Sequence, residues 1–209
     1  ADPSNAAFRG GNGGGVARIL AGTLVLDGRI DASGVGAEQS GIFDSDRAGA
    51  GAGGSVQLAV GTLRGSGSVL AAGGSARNAG ASHGGAGGGG RIAVAYTDRS
   101  GFTGSLRAPG GTVLPGPAPA QAIGGAGTVF TRASLAAKGD LVVDGEGRAP
   151  RGYLTRVEDS GEGPLSLAHL VVRGGARLES LRTISLESLD RANPGQLSLR
   201  CGLRAPRLE

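Results

Sequence analysis

The 209-residue chain reads as an all-β protein, a parallel β-helix (β-solenoid) with glycine-rich turns and loops. Three observations predict this. Glycine supplies 44 residues and arrives in clusters at nearly constant spacing, well above its usual share of ~7%. The segments that follow the clusters alternate apolar and polar with period two, the signature of a strand. Helical periodicity is poor, and glycine at this density costs a helix about 1 kcal/mol per residue against alanine.

Internal repeats carry the element assignment. VARILAGTLVLDGRIDASG (16–34), SVQLAVGTLRGSGSVLAAGG (55–74), RIAVAYTDRSGFTGSLRAPGG (91–111) and TVFTRASLAAKGDLVVDGEG (128–147) align, each behind a glycine cluster. Each unit holds two short strands. The second strands start at Gly28, Gly67, Gly104 and Gly139, a spacing of 39, 37 and 35 residues. The units read as 10–48, 49–84, 85–123 and 124–163, followed by 164–209 as leucine-rich continuing coils or a cap.

One face of the first strands carries Ile19 and Ala21, then Val56, Leu58 and Val60, then Ile92, Val94 and Tyr96. The second strands carry Ile30 and Ala32, Val69 and Ala71, Leu106 and Ala108, and Leu141 and Val143. Leu24, Leu63, Phe102 and Leu135 form a third apolar position between them. Two short strands are marginal alone. Stacking the units buries these positions as a continuous internal ladder, stabilised as a sum of neighbour terms.

Glycine fits two roles in such a stack. Sharp corners need positive φ, which glycine meets without steric cost. Runs such as Gly84 to Gly90 either pack as extended, polyproline-II-like segments or hang as flexible loops, and the sequence leaves both open. Prolines 115, 117 and 119 cannot join a central ladder and mark a loop excursion. In the leucine-rich part, Leu170 and Val172 alternate before a turn at Gly174 and Gly175.

Composition excludes several function classes. The net charge is +4, and the basic residues are scattered arginines with Lys138 the only lysine. Nucleic-acid binding calls for a clustered basic stripe with aromatic partners, so no nucleic-acid partner is expected. Cys201 is the only cysteine, which rules out an internal disulfide and a cysteine zinc site. No run approaches the ~20 apolar residues of a membrane helix. ADPSNAAFRG is not a signal peptide and reads as a mature N-terminus or an engineered remnant, while RCGLRAPRLE reads as a cut through a longer protein.

The series GTL-x-GxGSVxAxGG, then GGGGRIAVAYTDRSGFTGSLRAPGG, then GGAGTVFTRASLAAKGDLVVDGEG, resembles the glycine-rich β-helical repeats of large bacterial secreted and surface proteins. The resemblance covers about residues 10–147, and GGGGRIAV with GGAGTVF and GDLVVD is its most specific part. It implies an extracellular or cell-surface, adhesin-like region. It carries no catalytic residue onto this chain.

The residues offer little chemistry. His83 and His169 are far apart in sequence, and no GxSxG elbow is present. Asp27 and Asp31 flank Arg29, and Asp140 and Asp144 flank an apolar pair; all four read as solvated turn aspartates. The loop holding Asp44, Asp46 and Arg47 is the best candidate for a ligand contact. No calcium-binding nonapeptide or EF-hand loop is spelled, so neither a metal nor a cofactor is expected. Thr23 and Thr62 align, but the third unit breaks that threonine column.

The leading expectation is therefore a non-enzymatic structural or adhesive module, a rigid stalk or a contact region for cell-surface glycan or another surface protein. The alternatives are a polysaccharide-acting lyase or hydrolase on the same scaffold, and a self-association module.

Overall fold

A computed structural model describes residues 10–37, 48–79, 82–114, 123–148, 154–157, 163–190, 196–199 and 203–204. Among the described residues there is no helix, hence none long and apolar enough to cross a membrane. The protein is all-β, and most neighbouring strands run parallel.

One eight-stranded sheet forms the spine. Its first four strands are β1 (Val16–Val25), β3 (Ser55–Arg64), β7 (Arg91–Asp98) and β10 (Thr128–Ala133), each parallel to the next. The register sets Ile19 beside Leu58 and Leu58 beside Val94, as the sequence alignment requires. The sheet continues through β11 (Gly139–Asp144), β13 (Leu165–Arg173), β15 (Ile184–Asp190) and β17 (Leu203–Arg204), also mutually parallel. Between β10 and β11 the pairing is antiparallel, so the spine contains a single seam where strand direction reverses.

Two smaller sheets face the spine, and a third packs in a small cluster of its own. β2 (Arg29–Asp31), β4 (Ser68–Leu70) and β8 (Ser105–Arg107) accompany its first half. β12 (Thr155–Val157), β14 (Arg177–Ser180) and β16 (Gln196–Leu199) accompany its second half. β5 (Ala76–Ala79) pairs with β9 (Val113–Leu114) and, antiparallel, with β6 (Ser82–His83).

The seam also exchanges the buried face. Opposite residues of an antiparallel pair point to the same side. Val129 lies opposite Val142, and both pack with Val56, Leu58, Ile92 and Val94 in a first core. Phe130 lies opposite Leu141, and both pack with Val143, Leu167, Leu170 and Val172 in a second core. The two cores therefore occupy opposite faces of one continuous sheet.

Of the predicted core positions, Val56, Leu58, Val60, Ile92, Val94, Leu141 and Val143 are buried. Ile19 and Leu106 are only half-buried, because among the described residues their strands, β1 and β8, are the outermost of their sheets. Leu170 and Val172 are buried, and Gly174 and Gly175 take the expected left-handed turn.

Two expectations need correction. Leu141 and Val143 do not extend the column of Ile30, Val69 and Leu106; they lie in the spine and line the second core. The cause is their neighbour Val142. Three consecutive apolar residues suit a strand covered on both faces, whereas β2, β4 and β8 each carry one inward apolar residue. Leu135 is not a core residue. It sits 97% exposed in the short turn that folds β10 back onto β11.

The glycine runs are ordered by backbone hydrogen bonds. Gly11 and Gly14 donate to Gly49 and Ala52, Ala50 and Gly53 to Gly85 and Gly88, and Gly89 to Gly125, all at 2.8–2.9 Å. A second set runs sideways, from Gly51 to Val35 and Gly54 to Ala32, and from Gly87 to Gly74 and Gly90 to Ala71. Both sets recur every three residues, the period of a polyproline-II helix. None of these glycines has positive φ; among the described glycines that conformation belongs to Gly65, Gly147, Gly163, Gly174 and Gly175. The runs need glycine for close approach and not for corners. A Cβ on Gly51 would fall inside 3.0 Å of the Asn12 carbonyl oxygen, and one on Gly87 would do the same at Gly51.

Candidate functional site

The seam brings several charged side chains together. On the face of the first core, a groove of about 660 Å³ opens beside β8. It continues into a hollow of about 540 Å³ that shares Leu106, Val129, Val142 and Arg173 with it. The floor is apolar, formed by Leu106 at the open end of the first core and by Val129 and Val142. The wall is the outer face of β11 and β13, where period-two alternation projects Asp140, Val142 and Asp144 beside His169, Val171 and Arg173.

Every acid on this wall is engaged. Asp140 Oδ1 lies 2.6 Å from His169 Nδ1, and Asp144 Oδ2 accepts from Arg173 Nε at 2.8 Å. Glu146 receives two bonds from Arg107, both at 2.6 Å, and also meets Arg148 at 3.6 Å. The Glu146 partner, through its hydrogen bond first and its charge second, raises the Arg107 guanidinium above its ordinary value. Arg107 belongs to β8 in the first stack and Glu146 to the turn after β11, so this fork ties one stack to the other. Glu146 is held at a left-handed φ of 54°, with its own N–H bonded to Asp144 Oδ1 at 2.8 Å. Such a conformation costs a non-glycine residue on the order of 1 kcal/mol.

The arrangement does not suit acid–base cleavage of a glycoside. Asp140 and Asp144 are four residues apart on one strand, or about 13 Å at ~3.3 Å per residue. Paired catalytic carboxylates stand ~5–9.5 Å apart. Elsewhere the pattern is the same. Asp31 bonds the Ser33 N–H and pairs with Arg29 at 2.6 Å, Asp27 accepts from Ser66 in the next layer, and Asp98 accepts from Ser100. Among the described residues no group of three or more His, Cys, Asp or Glu is placed to hold a metal ion.

A second cleft, of about 560 Å³, opens on the other face of the seam. Glycine backbone from the runs at 88–90 and 124–127 forms one side, and Phe130, Leu141, Leu154, Val157 and Leu165 form the other. Arg156 at its rim pairs with Glu179 at 2.8 Å.

Asp44, Asp46 and Arg47, the predicted ligand contact, lie outside the described residues, as do Cys201 and prolines 115, 117 and 119. Asp27 and Asp31 serve as turn residues at the start of the first stack. Tyr96 faces the first core, with the Arg99 guanidinium 5.1 Å from its ring centroid. Sequence reasoning noticed Asp140, Asp144 and His169 separately but missed their meeting, and missed Arg107, Glu146 and Arg173 altogether. A signal was present: DLVVD at 140–144 and HLVVR at 169–173 share an apolar centre and carry complementary ends, and they pair in register.

No family model matches the chain, and no curated protein or solved structure matches it.

Proposed function

We propose that the parallel sheets form a parallel β-solenoid, and that the chain is a rigid, non-enzymatic structural or adhesive module of an extracellular or cell-surface protein. The observation that carries this reading is the glycine lattice, in which backbone groups hydrogen-bond both to the next layer and sideways within a layer. A stack cross-linked in two directions resists bending, which suits a stalk or a presenting platform. Reversing strand direction and buried face together preserves the sense in which the chain winds, so the seam is compatible with one continuous solenoid. The surface location follows from the resemblance of the repeats to glycine-rich β-helical regions of bacterial secreted proteins.

The test is incubation of the purified chain with a panel of polysaccharides and glycans, reading retention and product release separately. Retention without release supports an adhesive module, and a blank panel with a folded monomer supports a stalk. Release of shortened saccharide overturns the non-enzymatic reading.

A second reading, self-association, is favoured by the exposed edge strand β1. Its Val16 and Leu20 are 84% and 66% exposed at the open end of the first stack. Unpaired apolar edges invite pairing between chains. Sedimentation at increasing concentration separates a dimer through this end from a monomer.

A further inference from the structure

We propose that the groove beside β8 is a vacant strand position, which takes up an extended, uncharged peptide by β-strand addition. The inference does not depend on whether the module is adhesive, and it rests on a mismatch between the walls of the first stack. The spine contributes four strands to that stack (β1, β3, β7 and β10), and the glycine lattice contributes four runs, the last at 123–127. The facing sheet contributes only three, β2, β4 and β8. The fourth unit would have supplied the missing strand, but its second strand is β11, which the seam diverts into the spine. Among the described residues no strand covers the outer edge of β8.

The edge is prepared for a partner. Ser105 and Arg107 direct their hydrogen-bonding groups back toward β4, with Ser105 donating to Gly67 and Arg107 accepting from Ala71. The alternation of a strand then directs the Leu106 N–H and C=O outward into the groove. The Ala108 carbonyl accepts from Gly127 the same sideways bond that Ala32 and Ala71 accept from Gly54 and Gly90, so the glycine run beside this position is already in place. A groove of about 660 Å³ has room for three or four extended residues.

The layers below specify what fits. The inward column runs Ile30, Val69, Leu106 and a second runs Ala32, Ala71, Ala108, all facing the first core. An occupant needs a branched apolar residue and, two positions later, alanine. The apolar residue would meet Leu106, Val129 and Val142. The charged groups lining the groove beside β8 are already paired with one another, Arg107 with Glu146 and Arg173 with Asp144. A charged strand would find no free counter-ion among them, so the partner is uncharged. Exposed sheet edges are known to recruit peptides in this way, with backbone bonds giving affinity and side-chain pockets giving selectivity.

The probe is a synthetic peptide with the sequence GSGSVLAAGG, that of residues 65–74, which fills the equivalent position one layer below β8. It is titrated into the intact chain by amide-resolved NMR. Saturable one-to-one binding, with shifts centred on Ser105–Ala108 and Val142, is expected. N-methylation at the peptide leucine, whose amide would bond the Leu106 carbonyl, should weaken binding at least tenfold, as should aspartate in place of the peptide valine. Absence of binding at ~1 mM, equal binding of the N-methylated peptide, or shifts centred elsewhere overturns the proposal. A dimer seen by sedimentation that the peptide disperses would assign the position to a second copy of the chain, and would equally overturn a separate peptide as occupant.

Discussion

Adjacent glycines in one run should respond in opposite ways to alanine. Gly87 and Gly88 are neighbours in sequence and both lie in the lattice. Gly87 is buried and bonded twice, donating to Gly74 at 2.9 Å and accepting from Gly111 at 2.8 Å. A Cβ there falls inside 3.0 Å of the Gly51 carbonyl oxygen, a backbone atom that cannot rotate away. Relieving the clash moves one run by about 1 Å, which takes a 2.9 Å bond past the ~3.6 Å at which it no longer counts as one. Overpacking costs about 1–3 kcal/mol, and two backbone bonds lost add about 1 kcal/mol each. Gly87→Ala should therefore lose about 3–5 kcal/mol, or ~6–20 °C in Tm for a chain of this size. At Gly88 the nearest atom to a Cβ is the Gly125 carbonyl oxygen at 3.8 Å, an ordinary contact. Alanine already occupies the equivalent place one layer earlier, as Ala52. Gly88→Ala should be neutral or gain ~0.4–1 kcal/mol by restricting the unfolded chain. Thermal unfolding by circular dichroism of the two variants beside the parent decides the matter. Equal melting temperatures for Gly87→Ala and Gly88→Ala would refute the lattice argument, because composition and propensity are identical in the two variants.

Other perturbations have definite expected outcomes. Val94→Asp buries an unpaired charge in the first core and should cost at least about 3–5 kcal/mol; a variant that melts with the parent would mean the buried face is misassigned. Glu146→Gln removes a largely solvent-facing fork to Arg107, worth at most about 1 kcal/mol, and should make Tm less sensitive to added salt. Leu135→Ser should leave Tm unchanged within a degree or two, since that side chain projects from the seam turn. The hydrogen bond from Ser33, ahead of the nearby Arg29 charge, holds the Asp31 carboxyl below its ordinary value, and Ser100 does the same for Asp98. A depressed carboxylate stabilises the fold above the unfolded value of about 3.9 and loses that contribution as pH falls through the folded one. Asp31→Asn should thus lower Tm slightly at pH 7 and flatten its decline below about pH 4, so that variant and parent converge in acid; an unchanged acid limb would contradict it.

The local elements were legible because strand alternation and layer spacing are carried by residue type. Matching Ile19 with Leu58 and Val94 from the repeat alone reproduces the observed register. The seam was not legible by spacing, since GDLVVD falls at nearly the same interval as the strands before it. It was legible by content, because Leu141, Val142 and Val143 are consecutive apolar residues and a strand with one wet face does not need three. The glycine lattice was half legible. Composition marks the runs, but which glycines are obligatory depends on where each Cβ points, and one sequence does not show that. The first layer hints at it. Asn12 and Val35 stand where later layers have Gly51 and Gly74, and those two glycines are the ones a Cβ would drive into Asn12 and Val35 carbonyls. Among the described residues no layer precedes Asn12 and Val35, so their side chains meet no such backbone. The charged groove was hidden for a different reason: its members come from β8, β11, β13 and the turn after β11, and only the reversal at the seam brings them to one place.

That reversal also explains why so much charge gathers where no reaction is set up. When the buried face changes sides, the outer face of β11 and β13 becomes the wall above the open end of the first core. Asp140, Asp144, His169 and Arg173 would point to open solvent on an uninterrupted stack, but here they line adjoining hollows shared with Arg107. The groups stay partly exposed there, so each pair contributes at most about 1 kcal/mol, and what the groove supplies is opposite charges within reach of one another. The pairing is complete across the wall, and the fork between Arg107 and Glu146 is maintained even at the expense of a left-handed φ at Glu146. A carboxylate committed to an arginine is poorly placed to give or take a proton, and the two aspartates are too far apart to share a scissile bond. What the seam leaves uncommitted is backbone, the outer edge of β8, and it is through backbone that a partner would gain most.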